Sequence, residues 1–463
     1  MNDALPSRRW LVRGAVILVI LSLLAPAGIA AVTGTSDRAD LARGTVTEPA
    51  NGTTVVGIQG FHFQDQGAKK KPARLVAAGP EAETKWVHNG IEDDVSWFYD
   101  VDPLDNGNLL VVSTKPAHTL VYELDPDTQE AVWTETLDTD DTHDVDMLDN
   151  GNLVVADMRN WENGTPEDRI FVYNRSTDEI TWEWKFKNHY PESTDGGYHE
   201  DWTHVNDVDV IDEHRLLLSP RNFDQAVILN RTSGEIEDRL GSDGDHDTMF
   251  EQHNPDYLES ENGTPTILVA DSENDRIVEY AKENGNWTLT WELGGSGQLN
   301  WPRDADRLPN GNTLVTDSLN HRVIEVTPQG EIVWEYYATW GPYDAERVAH
   351  GGSSNGPTIA DMNARGSYDI TGSAGLQPGT GDGKTFAATL ESTFAGTPLA
   401  DLASEAASTW SHVTPWIRPA WMTGWQFFFT TVAALILVGW GVAELVFQRR
   451  RLVGRVRALG SSR

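Results

Sequence analysis

The sequence predicts an all-β protein, a six-bladed β-propeller flanked by an N-terminal and a C-terminal transmembrane helix. Three features point there: a recurring Asp-x-Asp and Asn-Gly phrase, a tryptophan that closes most copies, and two long apolar runs flanked by arginine. The phrase is clearest in Asp100-Val-Asp-Pro-Leu-Asp-Asn-Gly-Asn-Leu-Leu-Val-Val and Asp144-Val-Asp-Met-Leu-Asp-Asn-Gly-Asn-Leu-Val-Val, with degenerate copies from Asp207, Asn254 and Asp304. Repeats of this size, each made of four short strands, are blades that cannot bury their faces alone.

In chain order, residues 1–34 hold the first apolar run, Ala15 to Val32, behind Arg8, Arg9 and Arg13. Such a run is a start-transfer segment with its basic flank in the cytoplasm. Ala-Gly-Ile-Ala-Ala ending at Ala31 equally fits a signal-peptidase site, so a retained anchor and a cleaved signal both stay open. Residues 50–345 are the propeller. Thr53 to His88, with Gln59 and Trp86, is a variant sixth blade, and Trp133, Trp182, Trp291 and Trp334 close other copies. Asn-Gly turns supply the positive φ that tight hairpins need, and alternating Leu and Val fill the faces between sheets. Asp144, Asp207 and Asp304, and Asp157, Asp271 and Asp317 at second-strand ends, are expected to cap turns.

Residues 346–424 are expected as a stalk, because Gly366 to Ser411 is rich in Gly, Ser, Thr and Ala. Residues 425–447 form a second span with Glu444 its one acid, and residues 448–463 are a basic tail that stays inside. The bulk of the chain is therefore expected outside. Six sequons, at Asn51, Asn163, Asn174, Asn230, Asn262 and Asn286, agree with that placement as candidate glycosylation sites.

Composition excludes several classes. With 71 acidic against 35 basic residues and a net charge of −36, the chain has no electrostatic footprint for DNA or RNA. Absent cysteine removes thiol nucleophiles, cysteine-ligated metals and disulfides. The acid excess resembles the surface of a halophilic protein and bears on solubility.

In a blade, residues just before the Asp-x-Asp phrase and those ending the second strand meet on one face around the central channel. Aligning the copies puts Tyr99, His143, Asn206, His253 and Arg303 at one equivalent position, with His204 two residues earlier in its copy. Arg221 ends the second strand of the fourth blade and returns to the same rim. One histidine beside an Asp is usually structural, but three at matched positions, joined by two arginines in an acidic protein, form a candidate site. Tyr99, Tyr198, Trp202 and Trp301 are candidates for its aromatic lining, while His321 and Arg322 read as blade punctuation.

Asp201-Trp-Thr-His-Val-Asn-Asp-Val-Asp, then Arg221, then Glu251-Gln-His-Asn-Pro-Asp-Tyr-Leu, together with Thr142-His143-Asp-Val-Asp-Met-Leu-Asp-Asn-Gly-Asn, resembles the arylsulfate sulfotransferases from about residue 50 to 345. These are six-bladed propellers that move a sulfuryl group from an aryl sulfate to a phenol without a nucleotide. The resemblance implies that His253 is the nucleophile, that His204 and Arg221 hold the sulfuryl oxygens, and that His143 assists proton transfer or binding. Tyr99, Asn206 and Arg303 would bind substrate, with no cofactor. The chain departs from bacterial members in lacking their disulfide and adding a membrane helix. Two alternatives stay open: a non-catalytic surface propeller binding a glycan, peptide or envelope partner, and a metal held by His143, His204 and His253.

Overall fold

A computed structural model describes residues 8–33, 41–63, 66–67, 70–92, 95–376, 380–381, 383–419 and 421–460. Residues 1–7, 34 and 461–463 of the expected terminal segments lie outside the described residues. The chain divides into two compact units, one of residues 39–416 and one of residues 1–38 with 417–463.

In the first unit, six sheets of four or five strands form the blades of a propeller, as the repeats predicted. The inner strands are Pro342–Arg347 in blade one, Trp97–Pro103 in blade two, Val145–Met147 in blade three, Val205–Val210 in blade four, His253–Glu259 in blade five and Pro302–Arg307 in blade six. Blade one joins two distant parts of the chain, because Pro342–Arg347 pairs antiparallel with Thr54–Ile58 and so closes the ring. Two outer edges are covered, one by Ala42–Val46 on Ile332–Tyr337 and one by Gly366–Tyr368 alongside Asn286–Gly294. Covering removes unpaired edge groups that would otherwise template association.

Leu and Val of neighbouring sheets build cores such as the one joining blades three and four through Val154, Trp184, Val208 and Leu218. The closing tryptophans work through arginines of the next blade: Arg175 lies over Trp133, Arg307 over Trp291 and Arg347 over Trp334. In blade three Trp182 packs part-buried against the core shared with blade four, and Trp184 adds a hydrogen bond from its Nε1 to Gly234 O. Those arginines are themselves paired: Arg307 with Glu279 and Arg347 with Glu325, all four buried. Breaking such a pair would strand a buried charge, which costs far more than an exposed ion pair contributes.

Residues 346–424, read as a stalk, carry the edge strand Gly366–Tyr368 and two helices, α2 (Phe386–Phe394) and α3 (Ala400–Ile417). Thr385 caps α2 by accepting from the Ala388 N–H. Trp416 packs so close to Gly341 that a β-carbon there would sit 2.8 Å from the indole, and Asn300 Nδ2 donates to Ser411 O.

The second unit pairs two further helices. The helix α1 spans Arg8–Thr33 and α4 spans Gly424–Gly460; both are long and apolar enough to cross a membrane. Glu444, the lone acid of its span, accepts from Arg13 Nε and Nη2 at 2.8 and 2.7 Å.

Candidate active site

Five of the six inner strands share a defect at one level, the exception being that of blade three, which pairs in regular register. In blade two Phe98 pairs with Ser113 and Asp100 with Val112, so Tyr99 drops out of the ladder. Arg303 drops out between the pairs of Pro302 and Asp304, and Tyr343 between those of Pro342 and Asp344. Blades four and five skip Asn206 with Asp207, and Asn254 with Pro255. A bulge leaves its extra residue unpaired and re-aims a side chain. The bulge takes Tyr99, Asn206, Arg303 and Tyr343 out of the ladder at the channel mouth, while His253 stays paired with Ala270 at the edge of its bulge.

The side chains form one connected group. Tyr99 lies 3.9 Å from His143, and His143 lies 5.2 Å from His204, between ring centroids. Tyr343 sits centrally, 4.9 Å from Tyr99, 5.3 Å from His143 and 5.8 Å from His253. The Arg303 guanidinium stands 4.6 Å from the Tyr343 ring and 4.3 Å from that of Trp301, and donates to Gln59 Oε1 of blade one. Arg221 follows strand Arg215–Pro220, donates to Asn222 Oδ1 and lies 3.4 Å from Glu251. Asn206 donates to Gln252 O at 3.0 Å.

Hydrogen bonds assign the imidazole protons. His253 Nδ1 lies 2.8 Å from Ser272 Oγ and 3.2 Å from Glu251 O. Ser272 gives its own hydrogen to Pro302 O at 2.7 Å, so both partners of His253 Nδ1 can only accept. Nδ1 therefore carries the proton, and Nε2, which makes no hydrogen bond among the described residues, keeps its lone pair. His204 Nδ1 likewise donates to the Asp201 carboxylate at 2.9 Å. His143 Nδ1 meets Tyr343 Oη at 2.9 Å.

Burial is the main force on all three imidazoles. It lowers His143 to about 4 and pushes His204 and His253 well below their usual value. Arg221 lowers His204 further, and Arg303 then Arg221 lower His253, which shows both cations acting on the same space. Burial also lowers Arg303, to about 10, still charged at neutral pH. Among the described residues, His204 Nε2, Asn206 Oδ1, Trp301 Nε1 and Arg303 Nε are buried without a hydrogen-bond partner, and His143 Nε2 has only Asp141 Oδ1 near it, at 3.6 Å. Such groups are costly to leave unsatisfied, and their concentration at one mouth makes it the candidate site for a polar ligand.

One step further along the inner strands, Asp100, Asp102, Asp144, Asp207, Asp209, Asp256, Asp304, Asp306, Asp344 and Glu346 line the channel. Asp144, Asp207 and Asp304 were expected to cap turns; they face the channel instead. Asp144 accepts from the Val208 N–H at 2.6 Å, Asp304 from Ala345 and Asp344 from Val101, so the first acid of a phrase ties one blade to the next. Those N–H groups belong to inner strands, each of which ends its sheet on the channel side and has no further strand there to pair with. Asp157, Asp271 and Asp317 pair with Arg169, Arg276 and Arg322 of the adjoining strand.

Two aromatic candidates fall differently. Trp202 is wholly buried, its Nε1 donating to Thr194 O, and belongs to the core with Phe223; Tyr198 packs against it. Tyr343 was missed although Tyr343-Asp-Ala-Glu is the sixth copy of the aligned phrase, because Glu replaces the second Asp and the next Asn-Gly, Asn355-Gly356, stands farther along than in the clear copies. Among the described residues, no group of three or more His, Asp or Glu side chains is arranged to hold a metal ion, so the three-histidine metal site finds no geometric support.

Residues 83–292 match the family model described as Arylsulfotransferase (ASST), which supports that family. No curated protein matches the sequence. Among solved structures, the chain is similar to a protein of unknown function from Bacteroides caccae, at 12% identity over 62% of this chain and 93% of that one, with a TM-score of 0.43. It is also similar to a virginiamycin B lyase from Staphylococcus aureus, at 12% identity over 65% and 88% with a TM-score of 0.38. An auxiliary nutrient binding protein from Bacteroides thetaiotaomicron matches at 11% over 57% and 74%, again with a TM-score of 0.38.

Proposed function

We propose that this chain is a membrane-anchored arylsulfotransferase that moves a sulfuryl group from an aryl sulfate to a phenol through a sulfohistidine at His253. The observation that carries this reading is the state of His253: neutral, Nδ1–H held by two acceptors, and Nε2 without a hydrogen bond among the described residues, in the field of Arg303 and Arg221. In the first half-reaction Nε2 attacks sulfur, the bond from sulfur to the aryl oxygen breaks, and its electron pair leaves on the phenolate, which takes up a proton. In the second, the acceptor phenol loses its proton, its oxygen attacks sulfur, and the N–S pair returns to Nε2. Splitting the transfer this way avoids bringing two phenolic oxygens to one sulfur at once.

Arg221 and Arg303 offset charge on the three sulfuryl oxygens. A cationic mouth admits an anionic ester that the acidic surface would otherwise repel. Neutral His204 has a lone pair, not a donor, at Nε2; taking up a proton when the anion binds turns it into a donor, with Asp201 stabilising the imidazolium. His143 is placed to exchange the phenolic proton, with Tyr99 packed on its ring.

The propeller works outside the membrane in this reading, with the arginine flanks of α1 and α4 inside. Pairing of Arg13, near the start of α1, with Glu444, late in α4, supports both ends lying on one side. The sequons then offer glycosylation sites, and the acid excess suits a salt-rich exterior.

The test is to incubate the detergent-solubilised full chain, in high salt, with a chromogenic phenyl sulfate and a phenol. A covalent adduct of about 80 Da, one sulfuryl group, is expected on the His253 peptide and absent in His253→Ala. Turnover that survives the substitution moves the nucleophile elsewhere, and no turnover with any donor favours a binding propeller.

A further inference from the structure

Trp301 immediately precedes the inner strand of blade six, in the left-handed region with φ of 52°. Its N–H donates to Asp275 Oδ1 at 2.8 Å. The same carboxylate oxygen lies 2.9 Å from Nε2 of His412, which comes from α3, outside the blades. His412 Nδ1 lies 3.0 Å from Glu273. Carboxylates only accept, so both imidazole nitrogens carry protons and His412 is an imidazolium.

That imidazolium lies nearly parallel to the Trp301 indole, 21° between planes and 6.2 Å between centroids. The Arg303 guanidinium is 4.3 Å from the same ring. Two cations and one shared carboxylate thus fix the indole, which meets His253 edge-on at 6.2 Å and 81°. Its Nε1 is buried and has no hydrogen-bond partner among the described residues. A donor desolvated, locked in place and left unsatisfied beside a nucleophile has a ligand oxygen as its natural partner.

Building on the assignment of His253 as the sulfuryl carrier, we infer that Trp301 Nε1–H is a further donor to an oxygen of the bound sulfuryl group, and that His412 is a positioning residue acting through Trp301. The site is then completed from beyond the propeller. Asn300 bonding Ser411 and Lys71 bonding Trp416 O anchor α3 on either side of His412.

The test measures inorganic sulfate binding to the full chain by calorimetry, alongside kcat/KM for a phenyl sulfate. Trp301→Phe keeps the ring and removes the N–H; sulfate affinity and kcat/KM are each expected to fall roughly tenfold, in line with one hydrogen bond to a charged group. His412→Gln should give a smaller loss with an altered near-ultraviolet indole signal, and His412→Arg, which keeps a cation between Glu273 and Asp275, should restore much of it. The double variant Trp301→Phe with His412→Gln should bind no more weakly than Trp301→Phe alone, because His412 acts through the N–H already removed. Losses that add overturn the positioning role. Turnover and sulfate binding unchanged in Trp301→Phe overturn the donor while leaving sulfuryl transfer intact. Sulfate binding that depends on Trp301 without turnover keeps the donor and discards the reaction, and wild-type protein that binds no sulfate and turns over nothing discards both.

Discussion

Tyr343 Oη and His143 Nδ1 lie 2.9 Å apart although 200 residues separate them in the chain. The strand that closes the propeller ring therefore also completes its candidate site. Tyr343→Phe removes the bond and keeps the ring against Tyr99 and His253. The expected outcome is a fall in kcat of roughly three- to tenfold, the worth of one net hydrogen bond, with adduct formation at His253 preserved. Steady-state kinetics and mass analysis of the peptide check it; unchanged kcat would leave Tyr343 as packing.

Activity should persist into acid. Burial holds His143 near 4 and His253 well below the ordinary histidine range, so the nucleophile stays unprotonated where a solvent-exposed imidazole would already carry a charge. The acid limb of kcat/KM is expected well under pH 6.5. An inflection at 6.5 or above would mean that the working histidine is solvated.

Stability has an alkaline limb that can be assigned. Burial opposes charge on His412, but the bonds to Asp275 and Glu273 override it and raise its pKa to about 10. A group raised in the folded state stabilises fully below its unfolded value of about 6.5, and that contribution is lost as pH climbs through about 10. Between those limits Tm should fall with pH in wild-type protein and fall less in His412→Ala. Parallel Tm curves would show that His412 does not titrate there.

The inter-blade acids distinguish hydrogen bonding from charge. Asp144→Ala strands the Val208 N–H and should cost about 1–3 kcal/mol in denaturant unfolding. Asp144→Asn keeps an acceptor and removes one of several crowded like charges, so it should be neutral or stabilising. Equal losses in both would show that the carboxylate charge itself is required.

Protease added to intact cells should remove the propeller and spare the arginine-rich tail, as both helices crossing with their basic flanks inside requires. A protected propeller would reverse the orientation.

Much of the fold was legible because blade physics is local. Asn-Gly turns, alternating Leu and Val and closing tryptophans repeat in the chain itself, and each acts within a few residues. The histidines and Arg303 could be aligned for the same reason: copies of one phrase occupy one level of a symmetric ring. Tyr343, Trp301's fixed N–H and His412 were not legible in those roles. Tyr343 sits in a degenerate copy whose strand pairs with residues almost 300 positions earlier, Arg347 with Thr54. His412 reaches Trp301 only because α3 folds back on blade six. Acid roles were misread for a related reason, since Asp before a turn looks like a cap until ring closure brings the N–H of the next blade's inner strand to it. Sequence by itself determined the blade count, the apolar ends and which residue types share a level; the tertiary structure decided which atoms face each other, because ring closure and bulges act between segments that share no local signal.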